Sequence, residues 1–386
     1  MAKATHSYPV SRIGIIGGGQ LGKMTAQMAK RMGFYVTVLD PQPRCPAEHI
    51  ADAQIVGDLY DANKLAALAH LSDVVTFDVE HIDTETLKSL HEQGHTIYPS
   101  PYLLEIIQDK LKQKQVLEQH GVPVVPYEAV DNLDMAYLQQ AQFPLVQKAR
   151  TGGYDGKGVV VLKSANDIDE VLHTPSIVEE YVDFEKELAV MVARDAKGEV
   201  ACYPVVEMIF DDRTNICDIV TAPARIPEDI TQQAIEVASH AVEALEGVGV
   251  FGVEMFLTKE GEVLVNEIAP RPHNSGHYTI EGSITCQFEQ LVRIVSGLPL
   301  GSTQLIKPVA MLNLLGEPNY QGTPVIEGLA DVLAIEGLYF HLYGKEVTKP
   351  FRKMGHITVI DDDSEQVITK LQKAKNLLKI KGQKQC

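Results

Sequence analysis

Two stretches of this 386-residue chain hold residue types that could act together on a phosphate anion. The first is 152–158, Gly152-Gly153-Tyr154-Asp155-Gly156-Lys157-Gly158, which follows Val146-Gln147-Lys148 and precedes an apolar run at 159–162. Four glycines and one lysine between two strand-like runs let a backbone turn approach an anion closely and present N–H groups to it. The spacing is not GxxxxGK[ST], and a strand rather than a helix follows, so an ordinary P-loop is disfavoured. A flexible surface hairpin fits the same residues.

The second stretch is a hairpin signature, 251–257 and 263–269, joined across Thr258-Lys259-Glu260-Gly261-Glu262. A symmetric loop centred between Glu260 and Gly261 sets Glu254 directly against Glu267. Facing carboxylates with Cβ atoms about 4.5–5.5 Å apart repel one another unless something neutralises them. A divalent cation is the economical answer, because Mg²⁺ takes one or two carboxylates and completes its octahedron with water and phosphate oxygens. The alternative is a structural ion pair of one Glu with Lys or Arg. After Glu267 comes Pro270-Arg271-Pro272-His273-Asn274-Ser275-Gly276-His277-Tyr278, a stiffened loop whose Arg, His, Asn and Ser donors suit a planar oxyanion. A basic loop at 345–353 ends in Met354-Gly355-His356; its Lys345 and Arg352 could grip a phosphate monoester, and a solvated charged loop fits them as well.

These groups need a scaffold, and the chain reads as α/β followed by α+β. A strand at 13–16, then Gly17-Gly18-Gly19-Gln20-Leu21-Gly22, a helical pattern ending before Gly33, a strand at 35–39 and Asp40 form a βαβ start with GxGxxG spacing. That fingerprint suits a dinucleotide, and equally the close helix–strand approach of any doubly wound sheet. Helices near 61–71 and 84–93 and strands at 73–77 and 96–98 continue the unit, which Pro99-Ser100-Pro101 closes. One helix is expected over 102–119, with Lys110, Lys112 and Lys114 on a solvated face, linking to a small lid that includes a helix at 166–172 and a strand at 176–182. Longer strands at 187–194, 200–207 and 216–222 predict a mostly antiparallel sheet, with an amphipathic helix at 230–245. Helices at 286–296 and 365–378 and strands at 309–314 and 339–342 follow, and 379–386 reads as a frayed polar tail. The expected domains are 1–110, 111–183 and 184–386, with a terminal subdomain from about 300.

Bulk composition narrows the partners. With 45% hydrophobic and 22% charged residues the chain has the makings of an ordinary globular protein, and a net charge of −18 argues against nucleic acid or anionic membrane as general partners. Its five cysteines lack CxxC or His spacing, which fits a reducing cytoplasm and implies neither a disulfide framework nor a zinc site. No leader-like or membrane-spanning run is evident.

Taken together, GGYDGKG, VEEYV, GVEMF, NEIAPRPHNSGHY and KPFRKMGH resemble the ATP-grasp superfamily, most closely its 5-(carboxyamino)imidazole ribonucleotide synthase family, from residue 13 to about 356. The resemblance implies a Rossmann-like N-terminal domain without dinucleotide, a lid and a larger C-terminal domain, in a cytoplasmic homodimer. It also implies ATP- and Mg²⁺-dependent (or Mn²⁺-dependent) carboxylation of 5-aminoimidazole ribonucleotide by bicarbonate in purine biosynthesis, through carboxyphosphate. By that resemblance Lys148 and Gly153, Tyr154, Asp155, Gly156, Lys157, Gly158 and Val159 are the phosphate clamp. Glu179, Glu180, Tyr181 and Val182 form the adenine hinge, Glu187 contacts ribose, and Glu254 and Glu267 are the metal ligands beside Asn266. Tyr154, Asp155, Arg271, His273 and Asn274 surround bicarbonate and the aminoimidazole, with Asp155 orienting or deprotonating the amine. Lys345 and Arg352 grip the ribonucleotide phosphate, with Gln20 and Leu21 facing the same pocket.

Some positions depart from the family pattern. Thr76-Phe77-Asp78-Val79-Glu80-His81 stands for the usual TYEFEN, keeping a substrate-side carboxylate at Glu80. Lys110 replaces an ATP-site arginine and Asp212 a frequent histidine; exchanging Arg for Lys loses bidentate geometry. Rival readings are an NAD-dependent oxidoreductase, resting on the N-terminal glycines alone, a formate-using glycinamide ribonucleotide transformylase, and a non-enzymatic nucleotide-binding regulator.

Overall fold

Short β-branched runs separated by amphipathic helices build the N-terminal layer. In a computed structural model, which describes residues 10–153, 158–211 and 216–385, β1 (Arg12–Ile16), β2 (Tyr35–Asp40), β3 (Ala53–Val56) and β4 (Val74–Phe77) form a parallel sheet in the order β3-β2-β1-β4. The reversal of order sets β1 beside β4, so the loops after these strands share the crevice where open α/β sheets bind ligands. The glycines of the first loop have a local cause. Gly17 has φ +95, and a Cβ there would lie 1.6 Å from Asp78 Oδ1; a Cβ on Gly22 would lie 2.3 Å from the Gly17 carbonyl oxygen.

The second sheet is antiparallel, with β5 (Tyr127–Val130), β6 (Leu145–Ala149), β7 (Val159–Leu162) and β8 (Ser176–Glu180) in the order β5-β8-β6-β7. It has its own small core of Leu133, Leu138, Leu145, Leu162, Val171 and Val178. Lys148 pairs with Val159 across β6 and β7, so the glycine-rich segment connects two antiparallel neighbours as expected.

The largest sheet takes β9 (Phe184–Arg194), β10 (Val200–Cys202), β11 (Val206–Asp211), β12 (Ile216–Ala222), β13 (Gly249–Thr258), β14 (Val263–Ala269) and β15 (Val309–Leu315). After β16 (Tyr320–Glu327) come β17 (Leu338–Leu342) and β18 (Lys353–Ile360), which join the same sheet, giving β14-β13-β9-β11-β12-β15-β18-β17 with β10 beside β9. Finally β19 (Lys379–Gln385) pairs antiparallel with β16. Helices Pro101–Gln108, Lys110–Gln119 and Glu228–Ala244 bury their apolar faces against Leu188, Val190, Val253, Met255 and Val265 on one side of the sheet. Period-two alternation then turns Glu254, between Val253 and Met255, to the opposite side.

Several expectations need correction. The single helix over 102–119 is two, broken at Asp109, whose side chain accepts from the Leu111 and Lys112 N–H groups and caps the second. The strand expected over 200–207 is two, with Tyr203, Pro204 and Val205 between them. The helix expected at 166–172 is a 3-10 helix, Ala165–Glu170. Met354 and His356 are buried in β18 rather than ending a loop. The supposed frayed tail is β19, anchored by Ile380 in the core.

Candidate active site

The hairpin of β13 and β14 does set Glu254 opposite Glu267, but not by the expected route. Its turn is centred on Glu260 rather than between Glu260 and Gly261: Thr258 N–H donates to the Glu262 carbonyl, Gly261 is left-handed at φ +86, and Leu257, Phe256 and Met255 pair with Val263, Leu264 and Val265. That is a three-residue loop ending in a left-handed glycine. A register shift between Glu254 and Met255 then makes Asn266 an extra residue, and the pairing beyond it brings the two glutamates face to face. A bulge re-aims side chains. Here consecutive residues both meet lysines: Asn266 Oδ1 accepts from Lys148 Nζ at 2.7 Å, and Glu267 Oε2 from Lys110 Nζ at 2.6 Å.

Next along the sheet, Ala189 of β9 pairs with Glu254, so Glu187, two residues away, shares its face. Three carboxylates thus crowd one side. Burial, then repulsion from Glu267 and Glu187, drives the Glu254 carboxyl well above the ordinary glutamate range. Glu267 goes the other way, because Lys110 beside it outweighs its burial. Burial pushes Glu187 up to about 7, with Lys148 opposing. Facing carboxylates are hard oxygen donors of the kind Mg²⁺ takes, while Lys110 already forms with Glu267 the ion pair named above as the alternative. Among the described residues no group of three or more His, Cys, Asp or Glu is arranged to hold a metal ion, so a cation here would rest on two carboxylates and complete its shell with phosphate and water oxygens.

Lys110, like Lys114, comes from a helix whose lysines the helical pattern placed on a solvated face, although the resemblance set Lys110 at the ATP site. Positions 110, 113, 114 and 117 fall on one face of Lys110–Gln119. Gln113 clamps the exposed edge of β14, accepting from the Ile268 N–H at 3.2 Å and donating to its carbonyl at 3.4 Å. That docking carries Lys110 to Glu267 and Lys114 to Glu179, 2.8 Å away; Lys148 reaches the other Glu179 oxygen at 2.6 Å. Only Lys112 keeps the outward role expected of all three, pairing with Glu105.

A cleft of about 400 Å³ joins these groups to the crevice of the parallel sheet. Its lining includes Gln20, Leu21, Glu80, Lys110, Gly153, Val159, Glu254, Glu267, Arg271, His273 and Asn274, all expected from the sequence. Arg271 donates to Glu80 Oε1 at 2.7 Å, tying the loop after β14 to the loop after β4. His273 Nε2 lies 3.4 Å from Glu254 Oε1, and its backbone is held by both ends of the Gln287 amide at 2.9 Å. A Cβ on Gly252 would lie 2.5 Å from the His273 Cβ, so a glycine there lets this loop pack onto β13. Asn274 and Asn313 exchange amide hydrogen bonds at 2.7 and 2.9 Å.

The crevice loops have their own acids. Asp40 Oδ2 accepts from the Gly18 N–H and Asp78 Oδ2 from the Gly22 N–H, each at 2.8 Å. The glycine fingerprint therefore spends two of its amides on the protein's own carboxylates rather than presenting them to a pyrophosphate.

Other expected residues lie off the cleft lining. Lys148, Glu179 and Asn266 stand behind it as one bonded group. Glu180 ends β8, with Tyr181 and Val182 just beyond it. Lys345 donates to the Lys353 carbonyl at 2.7 Å and Arg352 to the Val347 carbonyl at 2.6 Å, and Lys23, on the helix that begins with Gln20 and Leu21, donates to the neighbouring Leu342 and Tyr343 carbonyls. Tyr154, Asp155, Gly156, Lys157 and Asp212 lie outside the described residues. Asp78, Arg150, His277 and Lys353 line the cleft as well; the sequence reading set His277 beside the facing carboxylates but missed Asp78, Arg150 and Lys353. For His277 and Lys353 the signal existed in the NSGHY and KMGH runs; Asp78 and Arg150 are assembled by packing.

The ribonucleotide synthetase preATP-grasp domain matches residues 10–108, the ATP-grasp domain 115–288 and the phosphoribosylaminoimidazole carboxylase C-terminal domain 309–370. The chain is 41% identical over 371 residues to the N5-carboxyaminoimidazole ribonucleotide synthase of Bacillus subtilis, covering 94% of this chain and 95% of that protein. It is 40% identical over 365 residues to the phosphoribosylaminoimidazole carboxylase of Saccharomyces cerevisiae, covering 90% of this chain but only 63% of that longer protein. The crystal structure of N5-carboxyaminoimidazole ribonucleotide synthetase from Thermotoga maritima superposes with a TM-score of 0.91 at 55% identity, covering 97% of this chain and all of that one. The N5-carboxyaminoimidazole synthase of Aspergillus clavatus, solved with ADP and 5-aminoimidazole ribonucleotide, gives 0.88 at 35% identity, covering 96% of this chain and 99% of that one.

Proposed function

This chain belongs to the N5-carboxyaminoimidazole ribonucleotide synthase family of ATP-grasp ligases, and from that premise we propose that its cleft joins bicarbonate to the amine of 5-aminoimidazole ribonucleotide at the expense of ATP. The observation that carries this reading is the facing pair Glu254 and Glu267, flanked by Lys110 and Lys148, in one cleft with the Arg271–Glu80 pair.

In this reading Lys148 and Lys110 neutralise charge on the ATP phosphates while Glu179 and the residues after it hold adenine and Glu187 the ribose. Glu254 and Glu267 would hold Mg²⁺ or Mn²⁺, which when bound screens the phosphate oxygens. A bicarbonate oxygen attacks the γ-phosphorus and ADP leaves, giving carboxyphosphate. The amine of the aminoimidazole then bonds to the carboxyl carbon, directly or after release of CO₂. Phosphate departs and the amine loses a proton. Arg271 holds the bicarbonate carboxyl group, with His273 and Asn274 bounding it, and Asp155 orients the amine or takes its proton. Lys345, Arg352, Gln20 and Leu21 hold the ribonucleotide. Because carboxyphosphate hydrolyses readily, the unit formed by β5 to β8 serves as a lid that excludes water.

The domain boundaries proposed above, a homodimer and a cytoplasmic location complete the reading, supported by the family resemblance. No described helix is long and apolar enough to cross a membrane. The test is phosphate release from ATP with 5-aminoimidazole ribonucleotide, with and without bicarbonate. Strict dependence on both is expected; formate dependence, or release indifferent to bicarbonate, overturns the assignment.

A further inference from the structure

One carboxylate behind the cleft is shared by two lysines. Glu179 places one oxygen 2.8 Å from Lys114 Nζ and the other 2.6 Å from Lys148 Nζ, and all three side chains are nearly or wholly withdrawn from solvent, at 2%, 3% and 11% exposure. A single lysine would balance this charge, and a buried ion pair broken by loss of one partner leaves an uncompensated charge that strongly destabilises. The two lysines are held differently. Lys114 sits on the inner face of its helix and also donates to the Val125 carbonyl at 3.3 Å, which anchors it in the interior. Lys148 stands one residue from the end of β6, beside the glycine-rich connection, and its other partner is the Asn266 side chain at the bulge. Of the two, Lys148 is the one placed to exchange partners.

We infer that Lys114 is a positioning residue for the nucleotide: by keeping Glu179 neutralised, it frees Lys148 to turn from that carboxylate to a phosphate. This rests on the reading of Lys148 as a phosphate ligand. Without Lys114, Lys148 leaving Glu179 strands a buried carboxylate, so Lys148 stays and nucleotide affinity falls. Burial lowers the Lys114 ammonium, with Glu179 opposing most strongly, consistent with a lysine whose charge serves one partner.

The test compares ADP binding by calorimetry and the KM values for ATP and for 5-aminoimidazole ribonucleotide in the wild type, Lys114→Met, Lys114→Gln and Lys148→Met. Lys114→Met is expected to weaken ADP and raise the ATP KM by on the order of ten- to a hundredfold, the size of one charge-assisted hydrogen bond, leaving the ribonucleotide KM within about twofold. Lys114→Gln, which keeps bulk and a donor, serves if the Met variant does not fold. The same Lys114 substitution in a Glu179→Gln background is expected to change ADP affinity by less than about twofold, because no carboxylate then holds Lys148. Unchanged ADP affinity in Lys114→Met alongside a weakened Lys148→Met overturns this inference alone, as does an equal loss in the Glu179→Gln background or failure of both Lys114 variants to fold. Unchanged affinity in Lys148→Met removes the reading beneath it.

Discussion

Asp78 offers a stringent check on the electrostatics of the cleft. Its carboxyl is buried at the end of β4; Oδ2 accepts from the Gly22 N–H and Oδ1 has no hydrogen-bond partner among the described residues. Burial lifts it from the ordinary aspartate value of 3.8 to about 7, against the opposing pull of the Gly22 N–H and Arg271. A group whose folded pKa is raised binds its proton more tightly in the native state. Its contribution to stability is therefore full below pH 3.8 and lost as pH climbs to about 7. The interval is about three pH units at about 1.4 kcal/mol each, or about 4 kcal/mol. Asp78→Asn removes the titration, and its amide oxygen can still accept from Gly22. The new amide hydrogens, set where Oδ1 lacks a partner, cost about 1–3 kcal/mol at every pH. The variant should thus start less stable than the wild type near pH 4 and gain on it by about 4 kcal/mol by pH 8. Urea unfolding across that range, with m-values compared, measures the difference directly, and all other titrating groups cancel in it to first order. Two stability curves separated by a constant offset would refute the argument from burial.

Further expectations concern the site and the strands that hold it. Glu267→Gln should lower kcat/KM by at least about 100-fold, since groups merely supporting a metal ligand already cost about 10- to 100-fold; a folded variant with undiminished, metal-dependent turnover would remove Glu267 from the metal site. Gly22→Ala presses a Cβ to 2.3 Å from the Gly17 carbonyl oxygen and 2.9 Å from Asp78 Oδ2, so a loss of about 1–3 kcal/mol is expected from thermal unfolding. Deleting 379–386 strips β16 of its only ladder partner among the described strands and removes Ile380 from the core; a loss of at least about 2–5 kcal/mol should follow, and an unchanged melting curve would mean the segment is a tail after all.

Much of this protein is determined by local spacing, which the sequence displays directly. Period-two runs around Glu254 and Glu267 specify a hairpin, and alternation alone sends Glu254 away from the core that takes Val253 and Met255. The glycines after β1 mark a tight strand-to-helix turn, and the clustering of Gly152, Gly153, Gly156 and Gly158 marks a loop whichever anion it meets. What tertiary structure alone decides is partnership. Lys110 and Lys114 sit in a strongly polar helix, where charge reads as solvent exposure; only the docking of Gln113 on the edge of β14 turns that face inward. The opposition of Glu254 and Glu267 was legible, but it rests on a turn centred on Glu260 and an Asn266 bulge that offset one another, and no local propensity specifies such a pair. β19 was unreadable for a related reason. Alternating lysines and glutamines carry little β signal, and the strand exists because β16, some sixty residues earlier, offers it a ladder. Spacing sets which side chains face the same way, and packing sets which charges meet.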